Sequence, residues 1–446
     1  MRTVLFWLVV AGLVALMVRP DLLGRLPGRG PGWLRRLDDS GLRWYVTGFP
    51  VMAFRMVFTW RSLCVESGLT VTKRSNRAVL GGAVVVAGRE LRPGIPRLGV
   101  PQPTPLGLRV RIRMRPGQTP ADFLAAAEAM AHAWHAFGVR VASPRRGWVV
   151  ATVTAADPLL RAGGGLGGRP ARLLSAVVGR TEEGGPWRID FRAVPHWLVI
   201  GATRSGKSVL MAALVFGLAP QPVALVGIDC KGGMELSLFG PRLSALACTA
   251  KEAVALLGAL VAEMEARMAV CQGGGARSVW ELPEDVRPVP VVLLVDEIAE
   301  LYLTDGSREG RQQAAECSMA LLRLAQLGAA LGVHLIVAGQ RFGSELGQGV
   351  TALRAQLGGR ICHRVNDPET ALMVLGDLAP DAVAVAQSIT ETEQGVAVIT
   401  DGGSWVRARS TYTSADQSRQ TAHTFAKITP ALPGLVHAVE GARGAA

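Results

Sequence analysis

Cysteine, histidine and lysine are scarce in this chain, and each scarcity narrows what it can be. The six cysteines (64, 230, 248, 271, 317 and 362) include no C-x-x-C and no paired spacing. That speaks against a zinc site or a disulfide framework and for small apolar residues in a reducing compartment. The seven histidines include no H-E-x-x-H. His132 and His135, three apart in A-M-A-H-A-W-H-A-F, read as ordinary residues of an amphipathic helix. Lysine occurs five times against 48 basic residues in all, and glycine 53 times, a pattern of GC-rich coding rather than of functional choice. Acidic residues are scarce only at one end. Residues 1–116 hold 19 Lys/Arg and 5 Asp/Glu, a net +14, while the remaining 330 hold 29 and 30, a net −1. The overall +13 would by itself look like a nucleic-acid signature, but it belongs to the N-terminal quarter.

Long apolar runs are few as well. Residues 3–18, T-V-L-F-W-L-V-V-A-G-L-V-A-L-M-V, are uncharged. Sixteen helical residues span about 24 Å against a ~30 Å hydrocarbon core, so flanking residues or local thinning close the gap. A signal peptide is the competing reading, but no small-x-small cleavage site follows and the run stops at Arg19-Pro20. Arg25, Arg29, Arg35 and Arg36 come next, against Arg2 alone before the run. The positive-inside rule then places the N-terminus outside and the body of the chain in the cytoplasm, at the cytoplasmic membrane. Residues 42–65 are aromatic-rich but carry Arg43, Arg55 and Arg61. The preferred reading is an interfacial segment with its arginines on anionic lipid; a second span and a helix of a soluble domain are the alternatives.

At 446 residues there is room for two or three domains. The expected order is a membrane anchor at 1–67, a Gly/Pro/Arg-rich linker at 68–107, a small α/β module at 108–180, a motor at 181–415 and a C-terminal tail at 416–446. In the module, L-R-V-R-I-R-M at 108–114 alternates as a strand with one polar face. Thr119-Pro120 opens a helix, and V-R-V-A and G-W-V-V-A-T-V supply strands up to about 154. In the motor, strands at 197–201, 223–229, 291–296, 333–339 and 360–365 alternate with helices at 207–218, 250–271, 311–331 and 367–375. That is the pattern of a parallel sheet covered on both faces, with ligands at the carboxyl ends of its strands.

The chain is organised around W-L-V-I-G-A-T-R-S-G-K-S at 197–208. An apolar strand runs into Gly201, Ala202, Thr203, Arg204, Ser205, Gly206, Lys207 and Ser208, which match G-x-x-x-x-G-K-S, and a helix follows. Glycines let the backbone wrap a phosphate, and the helix N-terminus adds favourable partial charge. Lys207 would reach the β- and γ-phosphates of ATP, and Ser208 would hold Mg2+. V-V-L-L-V-D-E ends in Asp296-Glu297, 89 residues after Lys207. Asp296 would sit beside the metal, and Glu297 would orient and deprotonate the attacking water. Gln340, at the end of the following strand, is placed to sense the γ-phosphate.

These residues carry a resemblance. The phosphate loop, I-D-C-K-G-G-M-E-L at 228–236, V-D-E-I-A-E-L at 295–301, G-V-H-L-I-V-A-G-Q-R at 332–341 and R-I-C-H-R-V at 360–365 occur in order. Together they resemble the FtsK/SpoIIIE family over roughly residues 190–412. The resemblance implies a RecA-like P-loop ATPase, a homo-hexameric ring that pumps double-stranded DNA. One anchor, a small module and a single motor resemble the actinomycete conjugative-transfer members, with other transfer proteins as further partners. Cys230 and Gly339 stand where the family usually has Pro and Thr. Ala329 occupies the place of a basic residue that is a candidate arginine finger, and Arg323 is the substitute candidate. Arg354 and Arg360, in L-R-A-Q-L-G-G-R, match basic residues of the family pattern and are candidates for DNA or interface contact. The 34 residues after 412 are too few for a winged-helix reader, so sequence-tolerant phosphate contacts are expected instead. ATPases of type VII protein secretion share these motifs and remain an alternative, as does a nucleotide-binding scaffold without turnover.

Overall fold

Two patterns of apolar spacing build two separate units, residues 1–158 and 159–446. The computed structural model describes residues 44–71, 94–160, 172–343, 346–347, 349–376, 380–400 and 405–444. The apolar run at 3–18 lies outside the described residues.

The first unit is an antiparallel sheet with helices on one face. Its strands are β1 (Arg97–Leu98), β2 (Gln102–Thr104), β3 (Gly107–Arg113), β4 (Gly138–Arg145) and β5 (Trp148–Thr154), in the order β1-β3-β5-β4, with β2 also on β3. Period-two alternation in β3 buries Leu108, Val110 and Ile112 and exposes Arg109, Arg111 and Arg113. Helix α1 (Phe49–Glu66) covers the apolar face together with α2 (Pro120–Ala125) and α3 (Ala127–Trp134). Thr119 caps α2 and Pro120 takes its first position, as the sequence predicts, and the Asp122 carboxylate accepts from the Thr119 N–H at 2.7 Å. His135 closes α3 in the left-handed region at φ +52° and stays exposed.

Helix α1 places one face of 42–65 in the core of this unit. Met52, Met56, Trp60, Leu63 and Cys64 recur at helical spacing and pack with Leu108, Val110, Phe123, Met130 and Trp134. The Trp60 indole donates to the Pro96 carbonyl at 3.0 Å. Among the described residues no helix is long and apolar enough to cross a membrane. Phe54, Val57 and Phe58 stay exposed on the far side of α1.

The second unit is a ten-stranded sheet. Its strands are β6 (Ser175–Thr181), β7 (Pro186–Asp190), β8 (His196–Ile200), β9 (Ala224–Ile228), β10 (Leu243–Ala247), β11 (Val291–Val295), β12 (Val333–Gly339), β13 (Gly359–His363), β14 (Val396–Thr400) and β15 (Trp405–Ser410). Their order is β10-β9-β11-β12-β8-β13-β14-β15-β6-β7, parallel as far as β13 and antiparallel beyond it. Helix α4 (Lys207–Leu218) packs on one face, through Leu210, Leu214 and Leu218 against Trp197, Val199 and Leu225. Helices α5 (Ala250–Gly273) and α6 (Arg308–Leu331) pack on the other, against Leu198, Ile200, Leu293 and Leu335. Strands buried on both faces read as continuous apolar runs, which is why V-V-L-L-V and V-A-L-V-G-I were legible.

Three expected limits move. The linker region contributes β1 and β2 to the first unit. Residues 175–181, assigned by the sequence to the small module, pair as β6 with β15 in the large sheet. The expected tail forms α10 (Ala415–Phe425) and α11 (Pro433–Gly444), the remaining helices being α7 (Val350–Gln356), α8 (Pro368–Leu375) and α9 (Pro380–Ser388). Leu435 and Val439 of α11 enter the motor core, and Arg443 pairs with Glu252 at 3.1 Å.

Two buried arginines tie backbone that the sheet cannot satisfy. Arg242 donates to the carbonyls of Ala219, Gln221 and Val223 at 2.7–3.0 Å. Arg267 donates to those of Leu331 and Val289 at 3.0 and 2.8 Å and pairs with Glu263. Removing the guanidinium strands buried acceptors at the end of α6 and before β11, so Arg267→Met should destabilise the second unit by about 2 to 4 kcal/mol. Urea unfolding followed by the fluorescence of Trp280, whose indole donates to Ala329 on α6, measures this; an unchanged midpoint would contradict the account.

Candidate active site

β12 pairs in parallel register with both neighbours, Gly339 opposite Ile200 on β8 and Val337 opposite Val295 on β11. The three strands therefore end at one level. At that level lie residues 201–208 after β8, Asp296-Glu297 after β11 and Gln340 after β12. β9 adds Asp229 and Lys231, and β13 adds Arg364.

The loop after β8 is tied by backbone hydrogen bonds to the ends of β12 and β13. Gly201 N–H donates to Gly339 O at 3.2 Å, and Ala202 N–H to Arg364 O at 2.8 Å. Arg204 and Gly206 have φ of +61° and +119°, which curls the chain around a phosphate-sized space. A Cβ on Gly206 would stand 2.6 Å from the backbone of Gly395, so space as well as φ requires glycine there. Gly395 N–H in turn donates to Ser205 O at 2.9 Å, clamping the loop from behind. Helix α4 begins at Lys207 without a side-chain cap on its first amides, so its positive end faces the cleft.

Residues 202–208 line a cleft of about 540 Å³, with Lys231, Glu235, Asp296, Gln340 and Gln394 on its other walls. Lys207 donates to the carbonyls of Gly201 and Ala202. Burial pulls its ammonium below the ordinary value, against the opposing pull of Glu297. Glu297, 5% exposed, is held at both oxygens: Oε2 accepts from Lys231 Nζ at 3.2 Å and Oε1 from the Gln340 N–H at 3.2 Å. Burial lowers Lys231 too, but Glu297 and Asp296 together outweigh it and leave the ammonium above its usual value. Asp229 is buried and shapes the β9 loop by accepting from the N–H groups of Glu235 and Leu236 at 2.9 and 3.1 Å.

The donor set fits a hard divalent cation. Ser208 and Asp296 share the cleft, and burial, then the neighbouring Asp229, push the Asp296 carboxyl up to about 6. One hydroxyl and one strained carboxylate leave most positions of a Mg2+ ion to phosphate oxygens and water.

Not every residue singled out by sequence joins the cleft. Arg323 is exposed on α6 and is not among the cleft-lining residues. Arg354 donates to Phe342 O at 3.4 Å, and Arg360 to Arg354 O at 2.7 Å, so both brace backbone beside α7. Conversely, Lys231 and Arg364 were not assigned roles from sequence. Arg364 donates to the loop carbonyl of Thr203 at 3.3 Å. Each follows a strand at its carboxyl end, the one signal that would have found them.

The raised Asp296 pKa gives a signed prediction. Its protonated form is favoured in the fold, so its contribution to stability is full below the ordinary 3.8 and is lost as pH rises through about 6. Without Mg2+, Asp296→Asn should abolish that part of the fall in stability between pH 4 and 6. Thermal melts of both proteins across this range check it, and parallel curves would overturn it.

Comparison with known proteins agrees with this geometry. Residues 33–155 match the actinomycete conjugal transfer protein N-terminal domain, and 169–286 with 279–344 match the FtsK/SpoIIIE family. The chain is 42% identical to the transfer protein TraSA of Streptomyces ambofaciens over 397 residues, covering 85% of this chain and 94% of that protein. It is 28% identical to the DNA translocase FtsK of Campylobacter jejuni over 223 residues, 47% of this chain and 22% of FtsK. Among solved structures, the pCW3 conjugation coupling protein TcpA, in monomer form with ATPγS, shares the fold at a TM-score of 0.53 and 20% identity, over 75% of this chain and 94% of TcpA. A resident P-loop, its facing carboxylates and these matches lead to one conclusion: the chain belongs to the FtsK/SpoIIIE family and carries the N-terminal domain of the actinomycete conjugal transfer proteins.

Proposed function

We propose that this chain is an ATP-driven motor that moves double-stranded DNA in conjugative transfer, working as a homo-hexameric ring held at the cytoplasmic membrane with its motor on the cytoplasmic side. The observation that carries the reading is Glu297, a buried carboxylate fixed by Lys231 and the Gln340 amide beside the phosphate loop. ATP would lie with its phosphates over residues 201–208, on the open amides of α4 and the Lys207 ammonium. Glu297 would orient the attacking water and take its proton. Ser208 and Asp296 would hold Mg2+, which neutralises phosphate charge when bound. Because the Gln340 N–H is bonded to Glu297 and Gln340 lines the cleft, loss of the γ-phosphate would be felt directly at the end of β12.

DNA as the cargo is supported by the relatives named as a transfer protein and a DNA translocase. Arg323, exposed on α6, is available to a neighbouring subunit as the arginine finger. Arg354 and Arg360 would reach DNA or a neighbour only through the N–H groups that do not brace α7. The membrane attachment rests on the apolar run at 3–18 and the arginines that follow it.

ATP hydrolysis by the full chain should rise several-fold with linear duplex DNA and vanish in Lys207→Ala. Hydrolysis indifferent to duplex would shift the cargo to protein, as in type VII secretion. Glu297→Gln should bind ATP about as tightly as the parent while turnover falls by two or more orders of magnitude. Turnover that survives would remove Glu297 from the chemistry.

A further inference from the structure

The sheet of the first unit has a second face, and among the described residues no helix of this unit covers it. On β3, Arg109, Arg111 and Arg113 stand on it at alternate positions, all exposed. Antiparallel register brings more onto the same side: Arg97 lies opposite Arg113, Arg140 opposite Thr152, and Arg145 opposite Trp148. Trp148, Val150 and Thr152 of β5 fill the middle, and the Arg113 guanidinium lies 6.0 Å from the Trp148 ring. The five strands contain no Asp or Glu. Among the described residues Arg97, Arg109, Arg111 and Arg145 have no carboxylate partner. At about 3.3 Å per residue and 4.8 Å per strand, the arginines span a plane of roughly 13 by 14 Å.

We propose that this arginine face is a DNA-binding surface additional to the motor, gripping the phosphate backbone of duplex without reading its bases. The choice of DNA as the polyanion rests on the motor reading above. Guanidinium groups pair bidentately with phosphate, and a plane of them set on a rigid sheet meets a backbone at several points at once. Such contacts fix position and carry no sequence information. A lipid surface fits less well. Insertion into a bilayer needs a cluster of apolar side chains, and the cluster Phe54, Val57 and Phe58 is on α1, which covers the other face of the sheet. The net +14 of residues 1–116 thus acquires a structural location for part of its charge.

The test is fluorescence anisotropy of the full chain in detergent with a labelled random-sequence duplex, from about 50 to 200 mM salt. Arg109→Ala/Arg111→Ala/Arg113→Ala should weaken binding at least tenfold and flatten the log–log salt dependence by about 2 to 3, at ~0.9 for each phosphate no longer neutralised. ATPγS binding should not change. If the triple variant loses ATPγS binding as well, the single reversal Arg111→Glu repeats the measurement, with a loss of severalfold expected. Parent-like affinity and slope would overturn the proposal while leaving the motor reading intact. Loss of sedimentation with phosphatidylglycerol vesicles but not of duplex binding would overturn it in favour of membrane. Failure of the parent chain to bind duplex would overturn this proposal and the DNA reading together.

Discussion

Parallel register between β8, β12 and β11 is the constraint on which the rest of the motor depends. Gly339 opposite Ile200 and Val337 opposite Val295 bring three polar strand ends to one level. A slip of one residue would turn every side chain of a strand to the other face. It would also displace the Gln340 amide from Glu297 and the Gly339 carbonyl from Gly201. These strands of five to seven residues are therefore more than core: their burial on both faces locks the register that the site uses.

Burial then sets the electrostatics. Lys207 is pushed below its ordinary value and Asp296 above, each because its charged form has left water. Both shifts mean that an opposite charge arriving in the cleft is worth more than the same charge would be at the surface. Lys231 is the exception, since Glu297 and Asp296 together outweigh its desolvation. The result is a cleft lined by two lysines, the Asp296 carboxylate and an uncapped helix end, with Glu297 fixed behind Lys231 and Gln340.

The first unit follows another logic. Its sheet buries one face under α1, α2 and α3 and leaves the other to arginine. Within α1 the same division recurs, Met56 and Trp60 inside, Phe54 and Phe58 outside. Arginine serves two opposite purposes in the chain. In Arg242 and Arg267 five fixed donors staple carbonyls inside the fold, while on the open sheet face the same group is presented to solvent.

How much of this was legible depended on whether the information was local. The phosphate loop, the Asp296-Glu297 pair and the central strands announce themselves because glycine geometry, apolar runs and strand-end acids act over a few residues. The packing of helix α1 was not legible because its pattern is compatible with lipid or with a core, and only β3 and α3 supply the partner of its buried face. The same holds for β6 and α11, whose partners β15 and α5 lie at least 160 residues away in sequence. Lys231, 66 residues before the Glu297 it holds, and Gly395, whose backbone clamps a loop 190 residues earlier, carry no local mark. The sequence by itself determined the nucleotide chemistry and the strands that bear it, because phosphate binding is a property of contiguous backbone. Strand order, the orientation of the Glu297 carboxylate and the open arginine face were decided only by tertiary structure, because each requires groups distant in the chain to meet across a sheet.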